Sequence, residues 1–199
     1  MLILGHVGIT FGVALAAESL SSRTDPTHAG HQCGLLARLR YATASLARRI
    51  DLRILLIGTL LPDIIDKPLG YILLPGVFGT GRLFCHALIF PIALAAAGVW
   101  LYRARRSTHL LVLAYGAGMH LLLDAMWRTP SILLWPLAGP MPRGDAAAGE
   151  WLARIITTLL TNPAAYLTEI AGVILLVPLL WAILRGAGPG HFIRSGDVN

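Results

Sequence analysis

Long apolar stretches alternate along this chain with abrupt polar breaks, and the longer stretches predict membrane helices. Met1 to Leu20 carries no charged residue before Glu18 and predicts a first span. It lacks the basic start of a secretory signal, although Ala14-Leu15-Ala16 imitates a cleavage site. Ser21 to Asp51 changes character, with Arg23, Asp25, Pro26, His28, His31 and several further arginines. Within it, Leu35–Arg40 and Ser45–Ile50 interleave leucine with arginine. That pattern suits a basic interfacial helix and equally a solvated loop with helical turns.

Leu52 to Leu61 is too short to cross a bilayer, and Leu61-Pro62-Asp63-Ile64-Ile65-Asp66-Lys67-Pro68 should end it. Proline breaks a helix, and two carboxylates cannot face lipid. Leu69 to Phe78 is apolar again, but Pro75 and four glycines from Gly70 to Gly81 interrupt this stretch. A broken or re-entrant segment lining a polar cavity is the expectation. His86–Tyr102 and Thr108–Trp127 predict two more full spans, separated by Arg103-Ala104-Arg105-Arg106. Ser131–Leu137 is short and proline-flanked. Trp151–Leu160 predicts a short helix stopped by Asn162-Pro163, and Ala164–Leu184 a final span containing Glu169. The expected fold is all-α: a polytopic integral membrane helical bundle of about four to five spans. It forms one domain over residues 1–185, with a basic cytoplasmic loop at 21–51 and a flexible tail at 186–199.

Composition narrows the class. Of 199 residues, 56% are hydrophobic and 13% charged, against about 25% charged in a soluble domain. That excludes an ordinary soluble domain, and the hydrophobicity excludes a disordered chain. The net charge is +6, and Lys67 is the only lysine. In a soluble protein this excess would suggest nucleic acid; in a membrane protein it marks the cytoplasmic side. With alternating spans, Arg23, Arg38, Arg40, Arg48, Arg49, Arg53, Arg103, Arg105, Arg106, Arg185 and Arg194 share one face. Lys67, Arg82, Arg128, Arg143 and Arg154 lie on the other. The N-terminus is therefore expected outside and the C-terminus in the cytoplasm, in the cell's inner or plasma membrane, with no nucleic-acid partner. Cys33 and Cys85 have no metal-site spacing and read as free thiols.

Ionisable residues within spans are costly and mark function. Here they are His6, Asp63, Asp66, His86, His120 and Asp124. At about 1.5 Å per residue from the arginine-marked ends, Asp63 stands about 15 Å up, Asp66 about 20 Å, His120 about 21 Å and Asp124 about 27 Å. His6 and His86 fall at similar depth, in the outer leaflet. His120 and Asp124 are four apart, hence on one helical face, and Asp63 and Asp66 are three apart. Imidazoles and carboxylates so placed can grip one or two divalent ions, with zinc favoured and manganese or iron compatible. The plainer readings are a helix stop pairing Asp63 and Asp66 with Lys67 or Arg82, and an Asp124–Arg128 pair. Glu169 has three open roles: arginine partner, cavity lining or outer-shell group. His28, His31, His109 and His191 read as surface histidines.

Leu61-Pro62-Asp63-Ile64-Ile65-Asp66, Arg82-Leu83-Phe84-Cys85-His86 and His120-Leu121-Leu122-Leu123-Asp124 resemble, in order and spacing, the membrane-bound metal-dependent hydrolases, also described as LexA-binding inner-membrane hydrolases. The likeness runs from about His6 to Pro136. Gly81, Cys85 and Ala87 stand where that family has histidine, threonine and serine. The ligand order is also distantly similar to that of zinc-dependent phospholipase C, without that enzyme's further downstream ligands. The resemblance implies a hydrolase with metal ligands His6, Asp63, Asp66, His86, His120 and Asp124. It would act on the ester or phosphoester of a membrane lipid, with Asp63 or Asp66 as general base and Arg82 or Arg128 holding phosphate. The rival expectations are a metal-ion or small-solute transporter and a membrane-anchored regulatory module holding a protein partner on the 21–51 loop.

Overall fold

The computed structural model describes residues 3–22, 50–144 and 150–185. The expectations for the 23–49 part of the basic loop, for Cys33, His28, His31 and His191, and for the 186–199 tail fall outside those residues. Every regular element among the described residues is helical. The long ones are α1 (Ile3–Ser22), α2 (Leu52–Pro68), α3 (Ile89–Arg105) and α4 (His109–Leu123). After a short α5 (Pro130–Leu133) come α6 (Glu150–Thr161) and α7 (Pro163–Arg185). By length and composition, one helix, over Pro163–Trp181, clearly suffices to cross a membrane; Ile3–Ala16 and His109–Leu123 are apolar but shorter.

Local chemistry sets the boundaries. Asp51 caps α2 by accepting the Arg53 N–H at 2.9 Å and also binds the Arg53 guanidinium. The Arg53 hydrogen bond holds the Asp51 carboxyl below its usual range. Asn162 caps α7 through its side-chain oxygen on the Ala164 N–H at 3.0 Å, with Pro163 at the first helical position, where its missing N–H costs nothing. Two expected boundaries fail. Pro62 does not end α2, which continues to Pro68 and then through a π-helical turn at Leu69–Leu73. An interior proline forfeits one ladder bond, here to the Gly58 carbonyl; Gly58, Thr59 and Pro62 are buried, with Gly58 against Leu113 of α4, and the helix continues past the lost bond. His86 does not open α3 either; it sits in a 3₁₀ turn, Phe84–His86, one residue layer before it.

Glycines set the helix contacts. A Cβ on Gly8 would lie 2.1 Å from the Gly172 carbonyl oxygen, and one on Gly172 would lie 2.2 Å from that of Leu4. Gly12 then meets Leu175, so α1 and α7 run parallel, backbone to backbone. Such small-residue contacts drive helix association in lipid, where apolar burial supplies little force. Gly116 meets the Gly58 and Thr59 backbone while Gly58 meets Leu113. Hence α2 and α4 also run parallel to each other. Val7, Phe11 and Ala14 of α1 join Leu52, Leu55, Val112 and Leu179 in one core cluster, which brings α1 antiparallel to α2 and α4. Most large apolar side chains of α7, including Leu167, Ile170, Ile174, Val177 and Trp181, stay exposed. An exposed apolar helix face of this length suits lipid, not water.

Candidate metal centre

The start of α1, the last turns of α2 and α4, and the turn before α3 converge at one end of the bundle. They bring His6, Asp63, Asp66, His86, His120 and Asp124 into one cluster. His6, Asp66, His86 and His120 are at most 1% exposed.

Asp66 is surrounded by donors. The backbone N–H groups of Leu83 (2.8 Å), Cys85 (3.1 Å) and His86 (3.1 Å) all donate to it, as does Nδ1–H of His86 at 2.7 Å. This carboxylate folds the Arg82–His86 turn around itself and orients one imidazole. Cys85 contributes through its main chain, so the thiol in place of a threonine leaves that contact unchanged. Gly81 is required by space: a Cβ there would lie 2.5 Å from the Tyr71 ring and 3.0 Å from Lys67 Cγ.

His120 is oriented by the backbone. Its Nδ1 lies 2.7 Å from the Thr59 carbonyl oxygen. A carbonyl only accepts, so Nδ1 carries the proton; at His86 the carboxylate acceptor fixes the same tautomer. Both Nε2 atoms therefore present lone pairs, and they face each other at 3.3 Å. Asp63 Oδ1 stands 3.5 Å from Nε2 of His86 and 3.7 Å from Nε2 of His120. Three ligand atoms, each about 2.0–2.2 Å from one tetrahedral ion, stand about 3.3–3.6 Å apart. The triangle of Asp63, His86 and His120 has edges of 3.3, 3.5 and 3.7 Å, two within that range and the third just beyond it. Two facing lone pairs and a carboxylate repel one another unless a cation or a proton lies between them.

A second group adjoins it. His6 Nε2 lies 3.2 Å from Asp124 Oδ1, and the His6 ring stacks on that of His120 with centroids 4.2 Å apart. His6, His120 and Asp124 also have ligand atoms close enough to share an ion. Asp124 Oδ2 lies 4.0 Å from His86 Nε2, which joins the two groups. That same oxygen accepts from Arg82 Nε at 3.1 Å and Nη2 at 2.9 Å. Asp124 thus pairs with an arginine 42 residues away and not with Arg128. Arg128 is exposed on a 3₁₀ turn, without a contact to the cluster among the described residues. His109 is exposed at the far end of α4.

One contributor escapes sequence reasoning. The Thr59 carbonyl leaves no side-chain signal; its trace is Pro62, whose missing N–H opens the ladder one residue away, at Gly58. Lys67 Nζ binds the outer oxygen of Asp63 at 2.6 Å, one of the pairings the sequence offered. Glu169 accepts the Leu4 and Gly5 N–H groups at 2.9 and 3.1 Å. It caps α1 from a different helix, one turn from His6, and also lines a cavity with Asp63 and Lys67, so it is both a positioning and a cavity-lining residue.

A family model described as YdjM inner membrane protein matches residues 1–188. No curated protein matches the chain. No solved structure matches it either.

Proposed function

The chain belongs to the YdjM inner membrane protein family, and on that premise we propose that it is a membrane-embedded metal-dependent hydrolase of a lipid ester or phosphoester. The carrying observation is the pair of tautomer-fixed imidazoles whose Nε2 atoms face each other at 3.3 Å beside Asp63. Histidines held by a carboxylate on one side and a backbone carbonyl on the other have the outer support typical of metal ligands. His86, His120 and Asp63 would hold the ion, with Asp124 and His6 completing the set. Zinc suits these N/O donors best. An ion there supplies a water acidic enough to ionise near neutral pH and a Lewis acid for the ester oxygen.

The remaining chemistry belongs to the chain. Asp63 turns one oxygen to the imidazoles and the other to Lys67, so it would serve as a ligand or, in place of that, as the group that takes a proton at the cluster. Asp66 has its acceptor capacity committed to the turn and serves by orienting His86. Arg82 grips Asp124 through Nε and Nη2, yet its side chain is 42% exposed. Its remaining N–H donors are available to an anionic oxygen. In the proposed topology α1, α2, α3, α4 and α7 cross the membrane alternately, with the arginine-rich turns in the cytoplasm and the cluster in the outer leaflet.

Elemental analysis of the purified full chain tests this reading, together with hydrolysis of bis(p-nitrophenyl) phosphate and of phosphatidylglycerol vesicles. About one zinc or more per chain is expected, with activity lost together with the metal in His120→Ala. A metal-free parent protein that behaves like His120→Ala would sink the reading.

A further inference from the structure

A cavity of about 570 Å³ lies between α1, α2, α6 and α7 and adjoins the cluster through Asp63, without His86 or His120 in its lining. Its walls are Ile3, Leu4, Leu60, Ile64, Leu152, Ile155 and Leu159, and its polar groups are Asp63, Lys67 and Glu169. Small-molecule sites of this kind are mostly apolar, with a few convergent polar groups, and run to about 300–1,000 Å³.

Three observations say what fits. Ile3, Ile64 and Leu152 line the cavity and are also strongly exposed at 58%, 56% and 52%, so the mouth opens through apolar surface. In an inner membrane protein the molecules on that side are lipid chains. Next, α6 carries Leu152, Ile155, Ile156, Leu159 and Leu160 on one face and Ala153, Thr157, Thr158 and Thr161 on the other. That is the pattern of a helix lying in the membrane interface, and its apolar face forms one wall. Finally, the chain's single lysine is at the polar end. Lys67 gives one donor to Asp63 and retains two, with its side chain 33% exposed. Glu169 gives one oxygen, Oε2, to the Leu4 and Gly5 N–H groups. An ammonium at the end of an apolar trough calls for an oxyanion attached to an alkyl chain.

We propose that this cavity binds one alkyl chain of an anionic phosphate-headed lipid, which enters sideways from the bilayer beneath α6 and brings its head to Lys67. The presentation of that head to the cluster through Asp63 rests on the hydrolase reading; the binding itself does not.

Native mass spectrometry of the full-length protein tests it, with hexadecyl phosphate and hexadecyltrimethylammonium as probes of equal chain and opposite head. The parent should retain one hexadecyl phosphate and bind the cationic probe at least about 10-fold more weakly. Lys67→Gln should abolish that preference. Leu159→Trp, which fills the trough, should weaken both probes about 10-fold or more. Ile156→Trp, on the same face of α6 but outside the lining, should bind as the parent does and so controls for folding. Equal binding of the two heads by the parent, or equal losses in Leu159→Trp and Ile156→Trp, would overturn the proposal. Retention by His120→Ala supports a pocket independent of the metal reading, and lipid binding by a metal-free parent would sink the hydrolase while leaving the pocket standing.

Discussion

Asp66 shows how one side chain can organise a turn. It gathers three backbone N–H groups and one imidazole N–H, all buried where water cannot replace them. Removing an acceptor there leaves donors unsatisfied, at about 1–3 kcal/mol each. Asp66→Ala is therefore a folding mutation. Asp66→Asn keeps an oxygen acceptor but loses the charge that fixes His86 as an Nδ1–H tautomer. Zinc affinity is expected to fall about 10–100-fold, read by competition with a fluorescent chelator, while the α-helical circular dichroism stays that of the parent. Unchanged affinity would mean that His86 is oriented by something else. From sequence, Asp63 and Asp66 look equivalent: same residue type, one turn apart, each within two residues of a proline. Their roles separate because the Arg82–His86 turn wraps around Asp66, while Asp63 faces His86 and His120 on one side and Lys67 on the other.

At the scale of elements, the site depends on how closely α2 and α4 approach. Gly58 and Gly116 let the two backbones touch, and that places the Thr59 carbonyl on His120. A Cβ on Gly116 would lie 2.6 Å from the Thr59 nitrogen. Gly116→Ala should thus force the helices apart, lowering stability by about 1–3 kcal/mol and weakening metal binding although no ligand is touched. Thermal melting in detergent and zinc stoichiometry check the two effects; a normal melt and full zinc content would show that the contact can relax. Gly118, two residues on, has open space around its Cβ position, and Gly118→Ala is the matched control. Hydrophobic periodicity located most of these helices to within a few residues. It misjudged Pro62 because the rule that proline stops helices comes from helices in water. A helix enclosed by neighbours keeps going past one lost bond.

For the whole molecule, the glycine contacts make α1 parallel to α7 and α2 parallel to α4, and α1 crosses both α2 and α4 antiparallel. In the proposed topology, with the arginine-rich turns in the cytoplasm, the α3–α4 turn would lie inside and the 140–144 segment outside. In a chain with its natural cysteines replaced by serine, Ser107→Cys should react with an impermeant maleimide only after the cytoplasmic face is exposed. Arg143→Cys should react in intact spheroplasts. Reversed labelling would invert the topology and move the cluster to the inner leaflet.

The sequence by itself determined the class and the cast. Hydrophobic run length, scarcity of charge and arginine placement are one-dimensional properties, set by the bilayer's thickness and charge asymmetry. The costly residues His6, Asp63, Asp66, His86, His120 and Asp124 stood out for the same reason. Only the tertiary structure decided what each does. Nδ1 partners fix tautomers, glycine contacts fix helix spacing, and Glu169 anchors α1 across 164 residues of chain. Those relations depend on atoms brought within about 3 Å by packing, and no spacing along the chain encodes them.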